Sequence, residues 1–193
     1  MKKFLVIGNP IQHSLSPDLH NYWIKNNGID AIYEKQKLNE DKLGQIISQV
    51  KDKKISGVNV TVPFKKTVIP YLDELSFEAQ RTQSVNTIYL KDNKVVGHNT
   101  DIVGFETSIK KSEYNLNNKE VLILGAGGVV PSIIFVLIKM NVSKIKICNR
   151  TKEKAENLKK LSKKIEIIEW GETTNFDMII NATSLGLKKE DNL

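Results

Sequence analysis

One cysteine in 193 residues, Cys148, leaves no partner for an internal disulfide framework. The three histidines, His13, His20 and His98, are scattered, and with a lone thiol they do not make a structural zinc site. No apolar run approaches the roughly 20 residues needed to cross a bilayer. The longest, from Val129 to Met140, is interrupted by Pro131 and Ser132. At the start, Lys2 and Lys3 precede the apolar Phe4-Leu5-Val6-Ile7, but that run is too short for a signal peptide and no small-residue cleavage site follows. It reads as a buried strand, and the chain is expected in the cytoplasm with no membrane partner. Acidic residues are outnumbered, 22 against 29 basic ones, for a net charge of +7. The lysines alternate with acids, as in Lys152-Glu153-Lys154, which suits solvated helix faces better than a nucleic-acid surface. No nucleic-acid partner is expected.

What is present is alternation. Apolar, β-branched runs at Lys3–Ile7, Ala31–Gln36, Gly57–Val60, Val85–Leu90, Lys94–Val96, Glu120–Leu124, Lys144–Cys148, Ile165–Ile168 and Asp177–Asn181 predict strands. Amphipathic stretches at Pro17–Asn27, Asp41–Val50, Lys65–Leu72, Phe77–Thr82, Asp101–Ser112, Val129–Met140 and Lys152–Lys163 predict helices between them. Strand then helix, repeated, implies an α/β fold with mainly parallel sheets. Lys91-Asp92-Asn93 reads as a hairpin turn, the one antiparallel exception. The pattern divides near residue 100, because the polar stretch Ser112–Lys119 opens a self-contained βαβαβ run. An α/β domain is expected over 1–100 and a Rossmann-type nucleotide-binding domain over 101–193. The chain stops soon after Asn181-Ala182-Thr183-Ser184-Leu185-Gly186, so that second domain reads as incomplete.

Gly125-Ala126-Gly127-Gly128 follows the apolar strand Val121-Leu122-Ile123-Leu124 and precedes an apolar helix. Gly125 permits the tight turn, Gly127 lets the backbone approach a pyrophosphate, and a helix N-terminus presents N–H groups to it. The third glycine of the usual pattern is replaced by Val130. About 20 residues further on, where an acid would hold the ribose 2′-hydroxyl of NAD, stand Asn149, Arg150 and Thr151. A guanidinium there suits a 2′-phosphate by charge and bidentate geometry, so NADP is expected.

Asn59-Val60-Thr61-Val62-Pro63-Phe64-Lys65 runs from a buried strand into a helix start. Period-two alternation puts Asn59 and Thr61 on one side, Val60 and Val62 on the other. Asn86 sits at a strand start and Asp101 opens a helix. In open α/β sheets such strand ends form the ligand crevice. A lysine and an aspartate there can hold an alcohol and pass its proton while a cofactor takes the hydride. Ser14 and Ser16, beside Pro17 at a helix start, can bind a carboxylate; Ser16 can equally cap the helix.

In order, Ser14-Leu15-Ser16-Pro17, Asn59 to Lys65, Val85-Asn86-Thr87, Gly97-His98-Asn99-Thr100-Asp101, Gly125 to Gly128, Asn149-Arg150-Thr151 and Asn181-Ala182-Thr183-Ser184 resemble the shikimate dehydrogenase family over the whole chain. The resemblance implies a substrate-binding catalytic domain over 1–100 followed by an NADP-binding one. It also implies NADP-dependent interconversion of 3-dehydroshikimate and shikimate, on the route to chorismate and aromatic amino acids. By the same resemblance Ser14 and Ser16, with Thr61 nearby, hold the substrate carboxylate. Lys65 is the proton-transfer residue paired with Asp101, while Asn86 and Asp101 grip ring hydroxyls and Asn59 joins the substrate set. Gly125, Ala126, Gly127, Gly128 and Val129 receive the pyrophosphate. Asn149, Arg150, Thr151 and Lys154 face the 2′-phosphate, and Thr183 and Ser184 lie near the nicotinamide. Alternatives are a quinate/shikimate dehydrogenase using NAD and a ligand-binding fragment without activity; a homodimer is compatible with either. The sequence departs from the family at Val129-Val130-Pro131, where small residues are common, and at Phe77, where an acid is frequent. The family also continues with a later glycine strand, a substrate-contacting glutamine and a C-terminal helix.

Overall fold

The computed structural model describes residues 1–172 and 174–186. The chain divides into two compact units, Met1–Thr100 and Asp101–Leu193.

The first unit runs β1 (Lys2–Gly8), α1 (Ser16–Asn26), β2 (Ala31–Lys37), α2 (Leu43–Lys51), β3 (Gly57–Val60), β4 (Glu74–Leu75), α3 (Phe77–Thr82), β5 (Thr87–Lys91) and β6 (Lys94–His98). These strands form a six-stranded sheet in the order β2-β1-β3-β5-β6-β4. β1 is covered on both faces, which is why its apolar residues run consecutively rather than alternating. Leu5 and Ile7 pack with α2 through Leu43, Ile46, Ile47 and Val50, while Val6 packs with Ile11 and Tyr33 on the other side. The hairpin between β5 and β6 turns on Asp92 and Asn93, both at positive φ (49° and 59°), as a two-residue loop with the sheet's own twist requires.

The structure departs from expectation at three points. The β5–β6 hairpin is not the one antiparallel exception in the first sheet, because β3 pairs antiparallel with β5 as well as parallel with β1. Lys65–Leu72 is not an α-helix. It is a run of turns closing in a single 3-10 turn, Ile69–Tyr71. Pro70 has no N–H to give an α-helical bond, and its ring opposes the carbonyl four residues back. The residues after it form β4, an unforeseen short strand parallel to β6.

The second unit runs α4 (Asp101–Lys111), β7 (Glu120–Leu124), α5 (Val130–Lys139), β8 (Lys144–Cys148), α6 (Lys152–Glu156), β9 (Ile165–Ile168) and β10 (Met178–Asn181). Its four strands are all parallel, in the order β10-β7-β8-β9. Val121, Ile123, Ile145 and Ile147 form one buried cluster with Ile133, Ile134 and Leu137 of α5, and Phe105 and Ile109 of α4 pack against it. Lys146, between two of those isoleucines, faces the opposite way and is 7% exposed. Its ammonium reaches Glu120 Oε2 at 2.6 Å and donates to the Asn175 carbonyl at 2.6 Å. That partner holds the Glu120 carboxyl below its usual range. The helix expected over Lys152–Lys163 ends at Glu156 and gives way to a 3-10 turn, Lys159–Leu161. Ser162 stops the continuation: it is extended, and its Oγ accepts the Lys164 N–H at 3.1 Å, a local bond that competes with the helix. No helix among the described residues is long and apolar enough to cross a membrane.

Ile88, fully buried in the central strand β5, tests the first unit's core. Ile88→Ala is expected to destabilise it by about 2–5 kcal/mol, read as a lower urea midpoint with the far-UV signal of the folded state retained.

Candidate active site

In the first unit the candidate residues gather at the C-terminal end of β1 and β3. β3 stops at Val60, and the chain is then stitched to β1: Thr61 N–H donates to the Ile7 carbonyl (2.9 Å) and Asn9 N–H to the Val62 carbonyl (3.0 Å). A Cβ on Gly8 would stand 2.6 Å from Thr61 Cγ2, so the two segments meet only because position 8 has no side chain. The expected alternation does not extend past Val60: Val62 is 57% exposed, since the chain has already left the sheet. Phe64 is buried and anchors the turn that presents Lys65, whose carbonyl accepts the Val85 N–H at 2.8 Å. The Lys65 side chain is half-buried.

Ser14 and Ser16 lie on the loop leaving β1. Ser16 is the first residue of α1, not its cap; the capping position is Leu15, without a side-chain bond. Instead Ser14 Oγ accepts the Ser16 N–H at 3.3 Å, which holds the two hydroxyl-bearing residues together.

The antiparallel β3–β5 pairing brings Asn86 to the same edge. Its N–H donates to the His98 carbonyl (3.0 Å), and its own carbonyl accepts from Val60 N–H (2.9 Å). Its Oδ1 accepts from Thr87 Oγ1 (3.0 Å) and from Thr100 N–H (2.9 Å). Asn59 donates through Nδ2 to the Asn86 carbonyl (3.2 Å) and to Thr87 Oγ1 (3.1 Å), and its Oδ1 accepts from Tyr33 Oη at 2.7 Å. Both amide hydrogens of Asn59 are thus engaged within the unit. Burial pushes the Tyr33 phenol up to about 12. The His20 ring stacks on it at 4.2 Å and 4°, and burial lowers the His20 value. Asn99 is fully buried and donates to Thr82 Oγ1 (3.2 Å) and the Ser84 carbonyl (2.8 Å), pinning the segment that leads out of β6.

Ser14, Ser16, Asn59, Thr61, Lys65 and Asn86 therefore lie on adjoining segments of one unit. Asp101 belongs to the other unit, as the first residue of α4, where the helix N-terminus favours a carboxylate.

In the second unit three neighbouring parallel strands deliver the remaining candidates at their C-terminal ends, with β7 between β10 and β8. Gly125, Ala126, Gly127, Gly128 and Val129 link β7 to α5. Gly125 has φ 108°, and a Cβ there would meet the Ala182 carbonyl oxygen at 2.9 Å. That contact is internal packing, whereas a Cβ on Gly127 would meet nothing nearer than the Ala182 carbonyl oxygen at 3.9 Å. The turn is open there and leads into a helix N-terminus, which fits a dinucleotide pyrophosphate. Val130, at the third-glycine position, is fully buried at the start of α5, and Pro131 falls in its first turn, where no N–H is needed. Beyond β8, Asn149 Nδ2 donates to the Thr151 carbonyl at 2.7 Å, and the exposed Arg150, Thr151 and Lys154 follow. Beyond β10, Thr183 and Ser184 sit in a turn organised by Asn181. Its Oδ1 accepts the Thr183 N–H (3.0 Å) and hydroxyl (2.7 Å), and its Nδ2 donates to the Leu185 carbonyl (3.1 Å). Phe77, at the position of the family's frequent acid, is 61% exposed with the Arg81 guanidinium 5.6 Å from its ring centre.

Sequence reasoning missed Tyr33, Thr87, Asn99 and Asn181 as organisers of these clusters. The available signal was side-chain amides and hydroxyls placed at strand ends, where they bond to nearby backbone.

A polar, hydroxyl-handling cluster on one α/β unit and a glycine turn on a parallel nucleotide-type unit define the class of dinucleotide-dependent dehydrogenases. A family model described as the shikimate dehydrogenase substrate binding domain matches residues 6–88, and one described as shikimate / quinate 5-dehydrogenase matches residues 107–187. The shikimate dehydrogenase (NADP(+)) of Pelagibacter ubique is 60% identical over 192 residues, covering 100% of this chain and 72% of the relative. The crystal structure of shikimate dehydrogenase from Aquifex aeolicus superposes with a TM-score of 0.89 at 36% identity, covering 100% of this chain and 73% of its own. The Thermus thermophilus shikimate 5-dehydrogenase, solved in complex with NADP(H) and shikimate, gives 0.85 at 31% identity over 97% of this chain and 70% of its own. The chain belongs to the shikimate dehydrogenase family.

Gly125→Ala combines a disfavoured φ with a backbone clash at Ala182. It is expected to destabilise the second unit by about 1–3 kcal/mol and to weaken NADP+ binding at least tenfold in a fluorescence titration.

Proposed function

We propose that the protein is an NADP-dependent oxidoreductase interconverting 3-dehydroshikimate and shikimate, on the route to chorismate and aromatic amino acids. The observation that carries this is the 60% identity, along the full chain, to a relative named shikimate dehydrogenase (NADP(+)). The Thermus thermophilus neighbour holding NADP(H) and shikimate supports the same pairing of ligands. The cofactor printed for that 60% identical relative, NADP(+), supports NADP over NAD.

In this reading Ser14 and Ser16 offer their hydroxyls to the substrate carboxylate, with Thr61 alongside. Asn86 and Asp101 hold ring hydroxyls. Lys65, with Asp101, takes the proton from the reacting hydroxyl during oxidation and returns it during reduction. NADP, when bound, accepts or supplies the hydride at the carbinol carbon. Gly125, Ala126, Gly127, Gly128 and Val129 receive its pyrophosphate through backbone groups. Asn149, Arg150, Thr151 and Lys154 meet the 2′-phosphate, with the guanidinium of Arg150 as the charged anchor. Thr183 and Ser184 line the nicotinamide side. Asn59 acts from within the fold, since its donors are engaged there. A cytoplasmic location accompanies a biosynthetic role of this kind, and the homodimer is an assembly for sedimentation to test.

Lys65→Ala is expected to lower kcat for shikimate oxidation by about 100-fold or more while leaving the circular dichroism spectrum intact. Unchanged turnover would remove Lys65 from the mechanism. Arg150→Ala is expected to raise the KM for NADP+ about tenfold and to leave the KM for NAD+ nearly as it was. A wild-type protein that prefers NAD+ would overturn the cofactor assignment.

A further inference from the structure

We propose that Thr87, held in turn by Asn59, is a positioning residue for the reaction: its hydroxyl fixes the side-chain amide of Asn86 in the orientation that meets a substrate hydroxyl. The proposal rests on the role given above to Asn86. It adds a residue of different standing, one that acts through Asn86 without touching substrate.

The polarity of the hydrogen-bond chain can be worked out group by group. Asn59 and Thr87 are direct cross-strand partners on β3 and β5. Asn59 Nδ2 lies 3.2 Å from the Asn86 carbonyl, an oxygen that can only accept, so the Asn59 amide cannot be flipped. Its Oδ1 then faces the Tyr33 hydroxyl at 2.7 Å, which must donate. Tyr33 is 4% exposed and its ring is stacked by His20, so the head of the chain is fixed by packing. The second hydrogen on Asn59 Nδ2 goes to Thr87 Oγ1 at 3.1 Å. Having accepted there, Thr87 spends its single hydrogen on Asn86 Oδ1 at 3.0 Å. Thr100 N–H donates to the same oxygen at 2.9 Å. Asn86 Nδ2 also donates to the Thr100 hydroxyl at 2.9 Å. Turning the amide over would set that nitrogen against the Thr87 hydroxyl and the Thr100 N–H and lose both bonds. The chain thus dictates that Asn86 keeps its oxygen toward Thr87 and Thr100.

A purely structural role, tying β3 to β5, would affect stability and both substrates alike. A positioning role would affect shikimate alone, and only while Asn86 is present. The experiment is steady-state shikimate oxidation with NADP+, with thermal melts in parallel, on Thr87→Val, Thr87→Ser, Asn86→Ala and the double variant Asn86→Ala/Thr87→Val. Thr87→Val, nearly isosteric, is expected to raise the KM for shikimate on the order of fivefold to tenfold, the worth of one hydrogen bond, with the KM for NADP+ unchanged. Thr87→Ser, which keeps the hydroxyl, should stay within about twofold of wild type, and in the Asn86→Ala background Thr87→Val should add nothing. Thr87→Ala serves in place of Thr87→Val if valine is not tolerated at the strand start. The proposal is overturned by a wild-type shikimate KM in Thr87→Val, by failure of serine to rescue, or by an equal effect of Thr87→Val without Asn86. If Asn86→Ala itself leaves the shikimate KM unchanged, the role of Asn86 fails and the positioning role with it. If Asn86→Ala raises that KM and Thr87→Val does not, only the positioning role fails.

Discussion

β3 runs parallel to β1 on one side and antiparallel to β5 on the other, so strand ends of opposite sense meet at a single edge of the first sheet. Parallel pairing alone would send the next segment away through a long crossover before it could return. The antiparallel partner brings Asn86 back within hydrogen-bonding distance of the residues that end β3, and its carbonyl accepts Val60 N–H. The same edge receives Thr61 and Lys65 from the turn after β3 and the two serines from the loop after β1. Backbone bonding, not side-chain attraction, is what collects these polar groups, and their desolvation is met by amide-to-amide and amide-to-hydroxyl bonds. Dissolving the β3–β5 ladder would scatter the cluster even if every side chain remained.

The second unit solves a similar problem by the opposite means. Its strands are all parallel, so every C-terminal end lies at one edge and every connection returns through the opposite side. β7 is central, with its glycine turn flanked by the turn after β8 and the turn after β10. Apolar residues on β7 and β8 face α5, which fixes the helix start near the glycine turn. The charged exception, Lys146, is tolerated inside because Glu120 and the Asn175 carbonyl meet its ammonium.

Much of this was legible from periodicity and composition. The strands of the second unit were readable because parallel, doubly covered strands are short apolar runs, and the glycine turn was readable from spacing. The Lys65–Leu72 error had a local cause: the amphipathic pattern was real, since Phe64 and Val68 are buried, but Pro70 forbids the α-helical bonding that would realise it. The antiparallel pairing of β3 with β5 was not readable, since a period of two looks the same for either direction of pairing. Nor was the occupancy of Asn59, whose residue type suits a ligand site but whose amide is engaged by Tyr33, Thr87 and Asn86. Those partners are distant in sequence, and single-residue chemistry carries no information about them. Lys146 illustrates the same limit, because a lysine in a strand reads as solvent-facing until its carboxylate partner on the next strand is known.

The close approach between Gly125 and Ala182 has an asymmetric evolutionary meaning. What crowds position 125 is the peptide carbonyl of residue 182, and every amino acid carries that group. No replacement at 182 can therefore make room for a side chain at 125, and compensating change across this contact is closed off. Position 182 can drift on its own terms, whereas position 125 depends on a stretch of backbone translated almost sixty residues later.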